Sequence, residues 1–477
     1  MIAVAIAGIA GVVIRAFPLL VVACLLYFPA YKGILLGYIP VSLGLHATII
    51  LVRKKDALLH FIGTRSFPVL ALWLYGIPAL IQLLLVVIFN SAPMFDGLFV
   101  YQHAVKLVET GEMDPLTYYP PAQTWWYALW FSVFNSSVLI AQLSQIPLSL
   151  LVTWSTWRLA RTCMPYNAAT AVALLVAWYP SFIGYVLTTP YYHYLYTLLT
   201  VLMVWGLLTF RHHLSQYHVF LAGVAAGLGA LTKAVQLIAP LQVITWVFVL
   251  ACATSFRDVI KTWRAGIMVF VAGMLLMLSP WMLRNWFVFQ DIVPVCTSGG
   301  LVLYSANNPE SNGLYSALPD QVIINTPREM LEHSRWCSEQ AKAFMVEHRD
   351  VFLRLVGIKF IHTWGGEATF TDLMNWHGES RWWIKQGFSF VFMFGWSLLV
   401  FAWVYTAWRA VRGRFRLSSY EILAGVIIIS NAVVYVVFEG GDRHHLPLVP
   451  LIAVLAFSQL IRPNEVDGTS NREVEAR

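Results

Sequence analysis

Apolar residues along this chain come in long unbroken runs, without the alternation of a half-buried strand or the spaced stripe of a surface helix. Twelve runs approach the roughly 20 residues that a helix needs to cross a bilayer core. They lie at 4–28, 34–52, 68–90, 137–157, 167–187, 193–210, 217–231, 234–253, 265–283, 386–408, 420–438 and 446–461. Each predicts a membrane-spanning helix. One further apolar stretch, 120–134, has only 15 residues. It reads as a helix lying at the membrane surface, with Trp125, Trp126 and Trp130 at headgroup depth. The first run lacks a basic start and a small-residue cleavage site, so it is read as a retained span.

Polar residues between the runs set the direction of the chain. The loops 53–67, 158–166, 211–216, 254–264 and 409–419 hold 14 Lys and Arg, including Arg158, Arg161, Arg412, Arg414 and Arg416, whereas the short loops on the opposite face hold four: Lys32, Lys106, Lys233 and Arg443. Cytoplasmic loops carry the basic excess, which puts the first set and both termini in the cytoplasm. The chain then divides into 1–67 (two extra N-terminal spans and a cytoplasmic loop), 68–283 (a transmembrane core with outer loop 91–136), an exoplasmic region 284–385, the spans of 386–461, and a polar tail 462–477 that reads as disordered. The fold class is an all-α polytopic membrane protein of about twelve spans, with juxtamembrane helices in the first outer loop and a small exoplasmic region.

Composition agrees. Of 477 residues, 59% are apolar, 15% aromatic and only 12% charged, against about a quarter charged in soluble domains. A water-soluble enzyme is excluded. The net charge of +7 sits in short clusters flanking the runs, as membrane topology demands, and no nucleic-acid motif accompanies it. The region 284–385 spans 102 residues with 9 basic and 11 acidic side chains, enough for a small folded lid. A helical pattern covers 326–359, and 351–364 is amphipathic. Cys296 and Cys337 both fall there. In an oxidising compartment they read either as a disulfide or as two free thiols.

Candidate chemistry gathers on the exoplasmic side. Asp96 follows the third run, beside Gly97, and precedes a helix that Gly111 closes. A carboxylate at a membrane boundary suits general-base work, and it equally suits a helix cap. Lys233, Arg284 and Arg443 end or interrupt apolar runs on the same face. Cations there would serve an anionic phosphate leaving group or snorkel to lipid phosphates. Tyr101, Tyr119, His193, His444 and His445 read as pocket residues, with a structural role for His193 equally open. Adjacent histidines without nearby Asp or Cys ligands do not make a zinc site. Gly223 and Gly227 have the small-xxx-small spacing of close helix packing.

Taken in order, Asp96, Tyr101, Gly111 and Pro120-Pro121, then AGVAAGLGALTK, the block from Pro280 to Gly313 and GGDRHHLPLVPLIAVLA make the chain resemble the bacterial protein-mannosyltransferase-like and aminoarabinose-transferase-like members of the glycosyltransferase C superfamily. The resemblance covers roughly 68–461. It implies an inner-membrane enzyme with an exoplasmic active site, which moves a hexosyl or pentosyl group from a polyprenyl-phosphate donor to an acceptor hydroxyl with inversion. Asp96 matches the catalytic carboxylate position, and Lys233, Arg284 and Arg443 match basic positions toward the donor phosphate. The acceptor is a glycan, lipid or protein, and the bilayer is an obligatory partner. No cofactor is implied with certainty, and a divalent metal stays open because Gly97 stands where many relatives carry Glu. Two rival classes fit the same runs: a lipid-linked sugar flippase or transporter, and an O-antigen polymerase or ligase.

Overall fold

The computed structural model describes residues 2–33, 37–89, 92–93, 95–116, 118–187, 192–213, 215–315, 324–367, 382–413 and 417–461. Among them every regular element is helical. Long helices are α1 Ile2–Gly33, α2 Ile39–Gly63, α3 Phe67–Phe89, α6 Val138–Arg161, α8 His193–His213, α9 Gln216–Thr232, α10 Ala234–Ala253, α11 Phe256–Phe289, α15 Trp382–Arg412 and α16 Ser419–Val437. A bent helix, α7, joins Tyr166–Ala177 to Pro180–Leu187 at 50°. The shorter ones are α4 Phe95–Thr110, α5 Ala122–Val133, α12 Ser298–Ser305, α13 Pro327–Glu347, α14 Arg349–Trp364 and α17 Val449–Leu460.

Every one of the twelve apolar runs falls on a helix, with different ends. Residues 53–63 and 256–264, expected as loop, continue α2 and α11. Among the described residues eight helices are long and apolar enough to cross a bilayer, or nine if α7 is one broken span. Of the helices that carry the twelve runs, those outside that set are α2, which ends through Arg53, Lys54, Lys55 and Asp56, α9 with 17 residues and α17 with 12. The surface-helix stretch is α5, whose 12 residues span about 18 Å at 1.5 Å per residue, too short to cross. The predicted helix over 326–359 is two, α13 and α14, parted at His348. The tail 462–477, with Arg414 and Arg416, lies outside the described residues.

Packing explains the small residues. A Cβ on Gly223 would sit 2.0 Å from the Phe270 carbonyl oxygen, and one on Gly227 would sit 2.6 Å from that of Met274. The backbones of α9 and α11 therefore touch, and only glycine fits between them. The outer faces are the reverse of a soluble protein's, with Val12, Val87 and Leu276 all at least half exposed. Apolar exposure on that scale belongs against lipid.

Candidate active site

Five connections meet at one end of the bundle: the 91–136 loop, the approach to α8, the break between α9 and α10, the region after α11 and the turn after α16. Each supplies lining to a single cavity of about 650 Å³, with Asp96, Tyr119, Tyr192, Lys233, Tyr315 and Glu439 on its wall.

Asp96 lies in the first turn of α4, where the helix N-terminus favours a negative charge. The helix stops at Gly111, whose φ of +73° is easy only for glycine and whose N–H donates to the Leu107 carbonyl at 2.9 Å. The chain then returns, and the Tyr119 hydroxyl donates to Asp96 Oδ1 at 3.0 Å. Tyr118 packs edge-on to Tyr119 with centroids 4.6 Å apart. Burial, with Asp96 alongside, pushes the Tyr119 phenol well above its usual range, so it stays a donor.

Lys233 stands in extended conformation where α9 ends. Its Nζ donates to the Tyr192 hydroxyl at 2.6 Å, lies 3.1 Å from His444 Nδ1, and sits 4.4 Å from the Tyr192 ring centre. Burial, then the charge of Arg443, lowers this ammonium far below an ordinary lysine. His444 stacks on Tyr435 at 4.1 Å, and burial with Lys233 beside it lowers its imidazole to about 3.

Arg443 bridges two carboxylates. Its Nη2 donates to Glu439 Oε1 at 2.8 Å, and its Nη1 is 4.0 Å from Asp96 Oδ2. Burial works against ionised Glu439, but Arg443, His444 and Lys233 outweigh it and hold the carboxyl at about 2. The site thus alternates Asp96, Arg443, Glu439, His444 and Lys233. Anionic and cationic groups lie side by side around one void, the arrangement for holding a phosphate while a carboxylate stays ionised.

Other predicted site residues lie elsewhere. Arg284 is outside the cavity: its Nη2 donates to the Asp114 carbonyl at 2.7 Å and its guanidinium lies 4.8 Å from the Trp281 ring centre. It fastens the outer loop. Asp114 itself pairs with His103 at 2.9 Å, and that hydrogen bond lowers its carboxyl to about 2. The Tyr101 hydroxyl donates to the Ser136 carbonyl. His193 is buried behind the wall, stacked on Tyr192 at 4.6 Å.

His445 does not line the cavity; it is fully buried with its Nε2 2.9 Å from Glu367 Oε1. Cys296 lines the cavity with Sγ 3.3 Å from Ser298 Oγ, while Cys337 is buried in α13 with Sγ 3.7 Å from His333 Nε2. Both are free thiols, so the disulfide alternative is corrected, each sulfur having its own polar neighbour. Among the described residues no group of three His, Cys, Asp or Glu is placed to hold a metal ion.

Tyr118, Tyr192, Tyr315, Tyr435 and Glu439 line the cavity and were not legible as site residues. Glu439 had a signal, a carboxylate at the end of an apolar run and four residues before Arg443. The tyrosines had none among 21.

No family model matches the chain, and neither does any curated protein sequence. Among solved structures the fold is similar to that of the oligosaccharyltransferase AglB of Archaeoglobus fulgidus in complex with an inhibitory peptide and a dolichol-phosphate, at TM-score 0.49 and 15% identity over 81% of this chain and 49% of that one. A second structure of that enzyme, complexed with Zn and sulfate, gives TM-score 0.48 and 17% identity over 80% and 48%. ArnT of Cupriavidus metallidurans bound to undecaprenyl phosphate gives TM-score 0.40 and 12% identity over 83% and 76%. The chain spans about half the length of the archaeal enzyme. At these identities the chemistry of the site is read from its own residues.

Proposed function

We propose that this chain is an integral membrane glycosyltransferase that moves a sugar from a polyprenyl-phosphate donor to an acceptor hydroxyl on the exoplasmic face. The observation that carries the reading is the convergence of Asp96, Arg443, Glu439 and Lys233 on one cavity at the ends of apolar helices. A lipid-linked phosphate sits at headgroup depth, and the ends of apolar helices, which carry these groups, suit that depth. With the twelve apolar runs taken as spans, the 14-to-4 division of Lys and Arg between the short loops favours cytoplasmic termini. The bacterial inner membrane is the matching location.

In this mechanism the acceptor oxygen attacks the anomeric carbon from the side opposite the phosphate, with inversion. The bond from that carbon to the phosphate oxygen breaks, and its electron pair leaves with the polyprenyl phosphate. Asp96 Oδ2 takes the acceptor proton, while Tyr119 holds Oδ1. Arg443 and Lys233 take up the charge that grows on the leaving phosphate, and Glu439 aims the Arg443 guanidinium. Arg284 is left out of this set and given the loop-fastening role. Among the described residues the histidine and carboxylates of the cavity do not group as a metal site.

Incubation of purified chain with polyprenyl monophosphate sugars and, separately, diphosphate-linked glycans tests the reading. Transfer from the monophosphate is the expected result. Transfer only from the diphosphate would move the chain to the polymerase or ligase class, and translocation across vesicles without transfer would make it a flippase.

A further inference from the structure

A second cavity, about 620 Å³, lies at the opposite end of the same helices, lined by Arg158, Arg161, Trp157, Trp205, Thr209 and His218. Along α9, His218 precedes Lys233 by 15 residues, about 22 Å at 1.5 Å per residue. Thr209 lies 16 residues beyond His193 on α8, about 24 Å. The two cavities therefore share no wall.

The chemistry of this groove is one-sided. Residues 115–257 contain no Asp or Glu, so the helices that form it bring no carboxylate. Among the described residues neither arginine has an ion-pair partner. Arg158 lies 4.9 Å from the Trp205 ring centre, and Arg161 Nη1 donates to the Met164 carbonyl at 3.3 Å. Two guanidinium groups three residues apart on one helix repel each other. The end of α6 favours them through the helix dipole, but a dipole does not require an open cavity between them. Leu151 and Trp154 are exposed on α6 on the membrane side of the arginines, and Leu221 is exposed on α9 one turn from His218.

We propose that this groove binds the phosphate of an anionic lipid, with the headgroup between Arg158 and Arg161 and the tail along Leu151, Trp154 and Leu221. Arginine recognises phosphate oxygens in pairs, and tryptophan belongs at headgroup level. The volume exceeds what a free phosphate fills, and the apolar track gives a tail its place. The site holds whether or not the chain transfers a sugar.

Native mass spectrometry of the full chain, loaded with phosphatidylglycerol, phosphatidylcholine or inorganic phosphate, tests this. Preferential retention of phosphatidylglycerol is expected, falling by about tenfold or more in R158Q/R161Q if even one charge-assisted contact is lost. R158K/R161K should keep part of the preference. Equal retention by the Gln pair overturns the proposal, as does equal retention of the two lipids. Inorganic phosphate that displaces phosphatidylglycerol and protects the chain as well as it does would assign the groove to a free anion instead. Both side chains are exposed; should the double variant fail to insert, R158Q and R161Q taken singly must each lower retention, and unchanged retention in both overturns the proposal.

Discussion

His444 and His445 are neighbours in the chain and lie in opposite kinds of surroundings. His444 faces the cavity, beside Lys233 and Glu439, in a cluster whose groups are still open to a ligand. His445 is fully buried between the indoles of Trp396 and Trp364, with centroids at 3.9 and 5.8 Å. Its Nε2 meets Glu367 Oε1 at 2.9 Å and its Nδ1 meets the Thr363 carbonyl at 2.5 Å. Glu367 also accepts from the hydroxyls of Tyr179, at 2.6 Å, and Ser181. Every polar atom of the His445 ring and the Glu367 carboxyl has its partner there, and no room is left.

Both clusters bury charged chemistry, and they do different work. The sealed one ties α14, α7 and the turn after α16 together, which fixes where Glu439, Arg443 and His444 point. The open one lines the cavity of the candidate site. Buried polar groups are tolerated when satisfied. What separates a strut from a site is the void beside it.

The comparison breaks most sharply at Asp96. A positioned base contributes about 10²–10⁴ in rate, so Asp96→Asn should lose that much transfer while inserting and melting like the parent. Near-normal transfer by Asp96→Asn would make the residue a first-turn helix stabiliser. In the sealed cluster the effect should appear as stability. Glu367→Leu strands His445 among indoles, and removing one partner of a buried pair costs about 3–5 kcal/mol. A melting temperature unchanged from the parent would remove the distinction between the two clusters.

A smaller effect is expected at Arg443→Lys. The point charge survives but the fork that spans Glu439 and Asp96 does not, so donor affinity should fall more than stability. The reverse order would make Arg443 a strut.

The pH response should be smaller still and has a definite sign. His444 is lowered to about 3 from 6.5 and Glu439 to about 2 from 4.5. In both cases the unfolded chain binds more protons, so stability falls as pH drops from about 6.5 toward 2. His444→Gln should flatten the upper part of that fall. Lys359 is a fully buried strut whose Nζ donates to Asn307 Oδ1 at 2.6 Å and to the Val437 carbonyl at 3.1 Å. Burial lowers it to about 8, so its part of the stability rises with pH between about 8 and 10.5. Melting curves of Lys359→Met should lose that rise.

Asp96 and Lys233 were legible because each is a charge next to a long apolar run, where charge needs a reason. Arg284 carried the same signal and lies outside the cavity lining. Its distance from the cavity depends on how the outer loop folds back, with Asp114 arriving under it. His444 and His445 were indistinguishable in sequence, since a short 3-10 turn over Asp442–His444 decides which ring faces the void. Cys296 and Cys337 were two thiols in one compartment until α12 and α13 gave each its own partner.

By itself the sequence determined the twelve helical runs, the all-helical class and the face where charge is scarce and chemistry gathers. Those follow from the cost of putting polar backbone and charge into lipid, which acts on every residue locally. Only the tertiary structure decided which polar groups share the cavity and which seal the bundle. That choice rests on contacts between residues as far apart as Asp96 and Arg443, or Glu367 and Tyr179. No local pattern encodes such pairs; they exist only once the helices have packed.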